Sequence, residues 1–89
     1  MKQKICSVFD SLRDLVLEKN RRYGNAALKP MQIFSKAEAD EGIKIRIDDK
    51  INRIIYSDTI RRNDLADLIG YLALYCVAQD WTDFSDLLD

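Results

Sequence analysis

The chain has no histidine, one proline, three glycines and two cysteines among its 89 residues. The missing histidine excludes imidazole general bases, serine triads and His-ligated zinc, so any chemistry must rest on carboxylates, lysine, tyrosine or a hard metal ion. Scarce proline and glycine favour helices over a turn-rich all-β chain. Cys6 and Cys76 fit neither a CxxC motif nor a disulfide framework. Both fall among apolar neighbours in predicted helices and read as small buried hydrophobes in a reducing cytosol. No apolar run approaches the roughly 20 residues of a membrane span, and the start Met1-Lys2-Gln3-Lys4 leads into an interrupted pattern unlike a signal peptide. A net charge of −1 gives no electrostatic case for duplex nucleic acid or an anionic membrane. The expected setting is cytoplasmic.

What is present reads as a helical domain. Hydrophobic residues make up 47% and charged residues 33% of the chain, a globular rather than a disordered balance. A chain this short buries proportionally little surface, so its core is marginal alone. The fold class expected is all-α: a small bundle of three main helices and a short C-terminal helix, completed by oligomerisation. Residues 4 to about 20 carry Ile5, Val8, Phe9, Leu12, Leu15 and Val16 at helical spacing. Tyr23-Gly24-Asn25 breaks that pattern with residues that tolerate left-handed backbone. An ordered connection follows, in which Ile33-Phe34 is expected to plug the core. Ser35 to Glu38 has the spacing of a capping box, opening a short turn that Gly42 ends. Ile43, Ile47, Ile51, Ile54 and Ile55 then mark the second main helix. Asn63 or Asp64 is the expected N-cap of the third, whose stripe of Leu65, Leu68, Ile69, Leu72, Tyr75 and Cys76 runs to about Gln79. In the last segment Thr82 or Asp83 caps one turn, and Trp81, Phe84, Leu87 and Leu88 either pack down or form a subunit contact.

Three constellations could carry chemistry. Asp64 and Asp67 are three apart on one helix, and Asp48 or Asp49 stands three or four residues from Asn52 on another. Hard oxygen ligands of this kind suit Mg²⁺, completed by water and substrate phosphates, with Asp48, Asp49, Asp64 and Asp67 as candidate ligands. The plain alternative is that Asp64 answers a helix dipole and Asp49 pairs with Arg53 on the surface. The second constellation is Lys19-Asn20-Arg21-Arg22-Tyr23-Gly24-Asn25, where Lys19, Arg22 and Asn25 could cradle a phosphate and Tyr23 could stack on a base. A charged helix end with a capping glycine explains the same residues without a ligand. Lys50 is a further phosphate candidate. The third is Tyr71, four residues after Asp67, which could stack a base or simply sit at the core margin.

Taken in order, the Glu18–Asn25 stretch, then Pro30 with Ile33-Phe34-Ser35-Lys36-Ala37, then Arg46-Ile47-Asp48-Asp49-Lys50-Ile51, then Asp64-Leu65-Ala66-Asp67-Leu68-Ile69-Gly70-Tyr71, resemble the small, often phage-encoded proteins of the nucleotide modification associated domain type. The last helix also resembles the second motif of MazG-like all-α nucleotide pyrophosphohydrolases, which use ExxE and ExxD pairs to hold Mg²⁺. Asp64 and Asp67 match the second pair, with Asp in place of Glu at the first position. Asp49 and Asn52 have the spacing of the first, but Asn52 brings no charge, and Asp48 would have to supply the missing carboxylate. These resemblances imply a nucleotide or nucleotide-derived partner. Three readings follow: a Mg²⁺-dependent nucleoside triphosphate pyrophosphohydrolase, a non-catalytic nucleotide binder that sequesters, for example, a cyclic-nucleotide defence signal, and a homo-oligomeric interaction protein.

Overall fold

Each stretch of 3.6-residue periodicity is a helix. The computed structural model describes residues 1–30, 32 and 37–88. Helix α1 spans Lys2–Arg22, α2 spans Ala39–Ile55 and α3 spans Arg62–Ala78, followed by a 3₁₀ turn at Ser85–Leu87. The described residues contain no strand, so the chain is all-α. None of these helices is long and apolar enough to cross a membrane.

Helix α1 ends in a Schellman turn. Gly24 and Asn25 adopt φ of 60° and 63°. The Asn25 N–H reaches back to Asn20 O at 3.2 Å and the Gly24 N–H to Arg21 O at 3.4 Å, which satisfies the last carbonyls of the helix. Lys19, Arg21 and Arg22 lie in this last turn, where cations suit the dipole.

Helices α2 and α3 form an antiparallel hairpin fastened at both ends. Gln79 Nε2 donates to Asp40 Oδ2 at 2.8 Å at one end, and Arg53 Nη1 lies 3.8 Å from Asp64 Oδ1 at the other. Ile43 of α2 is the buried apolar side chain of the core among the described residues. Past α3, Asp80 turns the chain with a φ of 60°, and Trp81 N–H bonds Cys76 O at 2.8 Å. This brings the Trp81 ring edge-on to Tyr75 at a centroid distance of 6.2 Å.

Several expectations change. Gly42 does not end a turn: α2 starts at Ala39, and the Gly42 N–H makes its opening bond to Glu38 O at 2.9 Å. Glu38 is thus the N-cap residue and does not sit inside the helix as a capping box requires. Ser35 and Ile33-Phe34 lie outside the described residues. Helix α3 starts before Asn63 and Asp64, because extended backbone at Arg61 already sets the entry and Leu65 N–H bonds Arg61 O at 3.1 Å. Asp64 therefore falls in the first turn, where the dipole favours it. Cys6 is exposed, on a helix that fully buries none of its side chains, and Cys76 on α3 is half-buried, so neither is the buried hydrophobe expected. Phe84, Leu87 and Leu88 are exposed, Trp81 is half-exposed with its ring against Tyr75, and Asp83 Oδ1 takes the Ser85 N–H at 2.9 Å to open the final turn.

Candidate functional site

Helix α1 crosses α3 where a glycine lets it approach. A Cβ at Gly70 would stand 3.4 Å from Val16 Cγ2, so the backbone of α3 is close beneath α1 here. One turn beyond this crossing on α1, Lys19 Nζ donates to Asp67 Oδ1 at 2.7 Å. From α2, Lys50 Nζ reaches the other oxygen, Asp67 Oδ2, at 3.1 Å. One carboxylate thus joins all three helices. Burial pushes the Asp67 carboxyl up, but the hydrogen bonds from Lys19 and Lys50 outweigh it and the net shift is downward. The Asp67 hydrogen bond holds Lys19 above its ordinary value against a smaller desolvation cost, and the negative charge of Asp67 acts in the same direction.

Around this junction lies an open groove of about 510 Å³. Its apolar floor is Leu15, Val16, Ala66, Gly70 and Leu74, and its polar rim is Lys19, Asn20, Tyr23, Arg46, Asp67 and Tyr71. The Arg46 guanidinium lies 5.9 Å from the Tyr71 ring centroid, a cation–π contact. Among the described residues Arg46 makes no ion pair. Tyr23 is largely exposed at the mouth, held there by the Schellman turn. A groove with two phenol rings, an amide and two cationic side chains over an apolar floor suits a flat ring that carries an anionic group.

The candidate residues divide accordingly. Lys19, Tyr23, Tyr71 and Asp67 meet at the groove. Lys50 is half-buried against Asp67 and does not line it. Arg22 donates to Glu18 Oε1 at 3.0 Å and is exposed, and Asn25 accepts a hydrogen bond from Asn20 Nδ2; neither lines the groove. Asp48 and Asp49 are exposed on α2. Asp64 is 5% exposed and faces Arg53. Among the described residues, no three Cys, Asp or Glu side chains gather in a way that could hold a metal ion. With both Asp67 oxygens taken by ammonium groups, the four aspartates do not form a Mg²⁺ donor set in this arrangement.

Arg46 is the polar groove residue that falls outside the three sequence constellations, whereas Asn20 lies within the second of them. Arg46 lies one turn before Lys50 on the same face of α2, so a partner for Lys50 on α3 places Arg46 beside Tyr71, four residues after Asp67. The chain matches no protein-family model, no curated protein and no solved structure.

Proposed function

We propose that the chain is a non-catalytic binder of a nucleotide or nucleotide-derived small molecule, taken up in the groove between α1, α2 and α3. The observation that carries this reading is the convergence of Tyr23, Tyr71, Lys19 and Arg46 on one groove of about 510 Å³. The volume falls within the range of about 300–1,000 Å³ of small-molecule sites. In this reading Tyr71 or Tyr23 stacks on the base, Arg46 and Lys19 meet phosphate, and Asn20 offers hydrogen bonds to a base edge or ribose. A sequestering role, as for a cyclic-nucleotide signal, asks for affinity and no turnover. A pyrophosphohydrolase would need Asp67 released from both lysines before it could take a metal ion, which makes the binder the better supported of the two.

Thermal shift and calorimetry with a panel of mono-, tri- and cyclic nucleotides in EDTA test the proposal. A ligand of the folded state should raise Tm. Tyr71→Ala should weaken binding by about 5- to 150-fold, the equivalent of roughly 1–3 kcal/mol for one stacked base. Unaltered affinity in Tyr71→Ala and Arg46→Ala would move the ligand out of this groove. Pyrophosphate release that appears only with Mg²⁺ would favour the hydrolase.

A further inference from the structure

We infer that the apolar face of α1, together with the first half of α3, is covered by a second copy of this chain. A compact monomer of 10.3 kDa exposes about 5,400 Å² by the surface scaling of folded proteins, whereas this chain exposes 7643 Å². The excess of about 2,200 Å² is well above the roughly 800 Å² per partner of an ordinary interface and suits an obligate one. The radius of gyration is 14.5 Å, where about 12 Å is expected for this length.

A continuous part of the exposed apolar surface lies on α1. Helix α1 is 21 residues long and buries none of its side chains, although Ile5, Val8, Phe9, Leu12, Leu15 and Val16 form a continuous stripe. Residues 5–9, Ile-Cys-Ser-Val-Phe, carry no charge, in keeping with the charge-depleted centre of an interface. Beside them a second groove of about 700 Å³ runs between Val8, Leu12 and Leu15 of α1 and Leu65 and Ile69 of α3. Ile5 and Phe9 stand exposed outside that groove. An apolar ridge and an apolar groove thus lie side by side on one molecule, which is what a self-complementary, two-fold contact requires. The exposed C-terminal residues are a weaker candidate, since they form one 3₁₀ turn and Trp81 already leans on Tyr75. The second groove shares Leu15, Lys19, Ala66 and Asp67 with the proposed ligand groove, so the partner copy would sit against one wall of that site. This inference does not depend on the nucleotide reading.

Sedimentation of the full chain across a range of concentrations tests it. The wild type should run as a dimer or a larger assembly, with a Tm that rises with protein concentration. Phe9→Asp changes a side chain that is 68% exposed in the single chain, so it should shift the protein to monomer while helical circular dichroism is kept. Leu88→Asp, at a site 93% exposed, should leave the assembly intact. A monomeric wild type overturns the proposal, as does a folded Phe9→Asp variant that associates like the wild type. Should Phe9→Asp fail to fold, a Phe9→Cys thiol in a Cys6→Ser, Cys76→Ser background supplies the answer. Maleimide should label it far more slowly than a Leu88→Cys thiol; equal rates overturn the proposal.

Discussion

The α2–α3 hairpin and helix α1 are built from the same kind of sequence and end up in different conditions. Both have an apolar stripe at helical spacing. The hairpin closes over Ile43, and polar contacts at Gln79–Asp40, Lys50–Asp67 and Arg53–Asp64 fix its register along most of its length. Among the described residues, helix α1 has a close crossing at Val16 and Gly70 and one ion pair to another helix, Lys19 with Asp67. Its other ion pairs, Arg21 and Arg22 with Glu18 and Arg13 with Asp10 and Asp14, are local and exposed and contribute little to holding it in place. Periodicity alone makes a helix, but burial of its stripe needs a surface of matching shape, and for α1 this chain supplies only half of one.

Four substitutions or conditions sharpen this contrast, from the largest effect to the smallest. Ile43→Ala empties the hairpin core and should cost about 2–5 kcal/mol in urea unfolding, a large part of the stability of so small a domain. An equally large loss from Leu15→Ala would reverse the contrast, since Leu15 remains exposed. Asp67→Ala should cost roughly 2–3 kcal/mol, because it leaves the half-buried Lys50 ammonium without its partner. It should also speed amide exchange in α1 more than in the far end of the hairpin, where Gln79 still holds Asp40. Gly24→Ala places a Cβ on a backbone with φ near 60° and should cost about 1–2 kcal/mol, fraying the last turn of α1 and displacing Tyr23.

The smallest effect is that of pH. Asp67 has a lowered folded-state value, so its contribution is fully present above its ordinary value of 3.8 and is lost as pH falls below it. Lys19 is raised, so its contribution is complete below its ordinary 10.5 and is lost as pH rises above it. Stability should therefore be flat between these limits as far as this pair decides it. Asp67→Asn should remove the acid-side loss that the pair causes, which urea midpoints at a series of pH values would read.

Helix positions were legible because the apolar residues of α1, α2 and α3 recur every three to four positions, and Gly24-Asn25 marked a stop through their tolerance of left-handed backbone. Helix entries were less so. Glu38 and Arg61 serve as N-caps by extended backbone alone, without a side-chain hydrogen bond that sequence spacing could reveal. Lys19 and Tyr23 stood in one sequence constellation and Tyr71 in another; that they line one groove depends on where α1 crosses α3, which no local pattern encodes. The pairing of Lys50 with Asp67 was not legible either, since it depends on the register of the hairpin, and register comes from packing and not from local preference. The same register separates Asp48 and Asp49, exposed on α2, from the Asp67 junction.

The contacts that tie α1 to the rest of the fold, Val16 on Gly70 and Lys19 on Asp67, both lie in the last third of the helix. The longer arm of α1, with Ile5 and Phe9, projects beyond these contacts on one side, and Tyr23 follows directly on the other. A change in the tilt of α1 about these contacts would carry Tyr23 towards or away from Tyr71 and so alter the width of the groove.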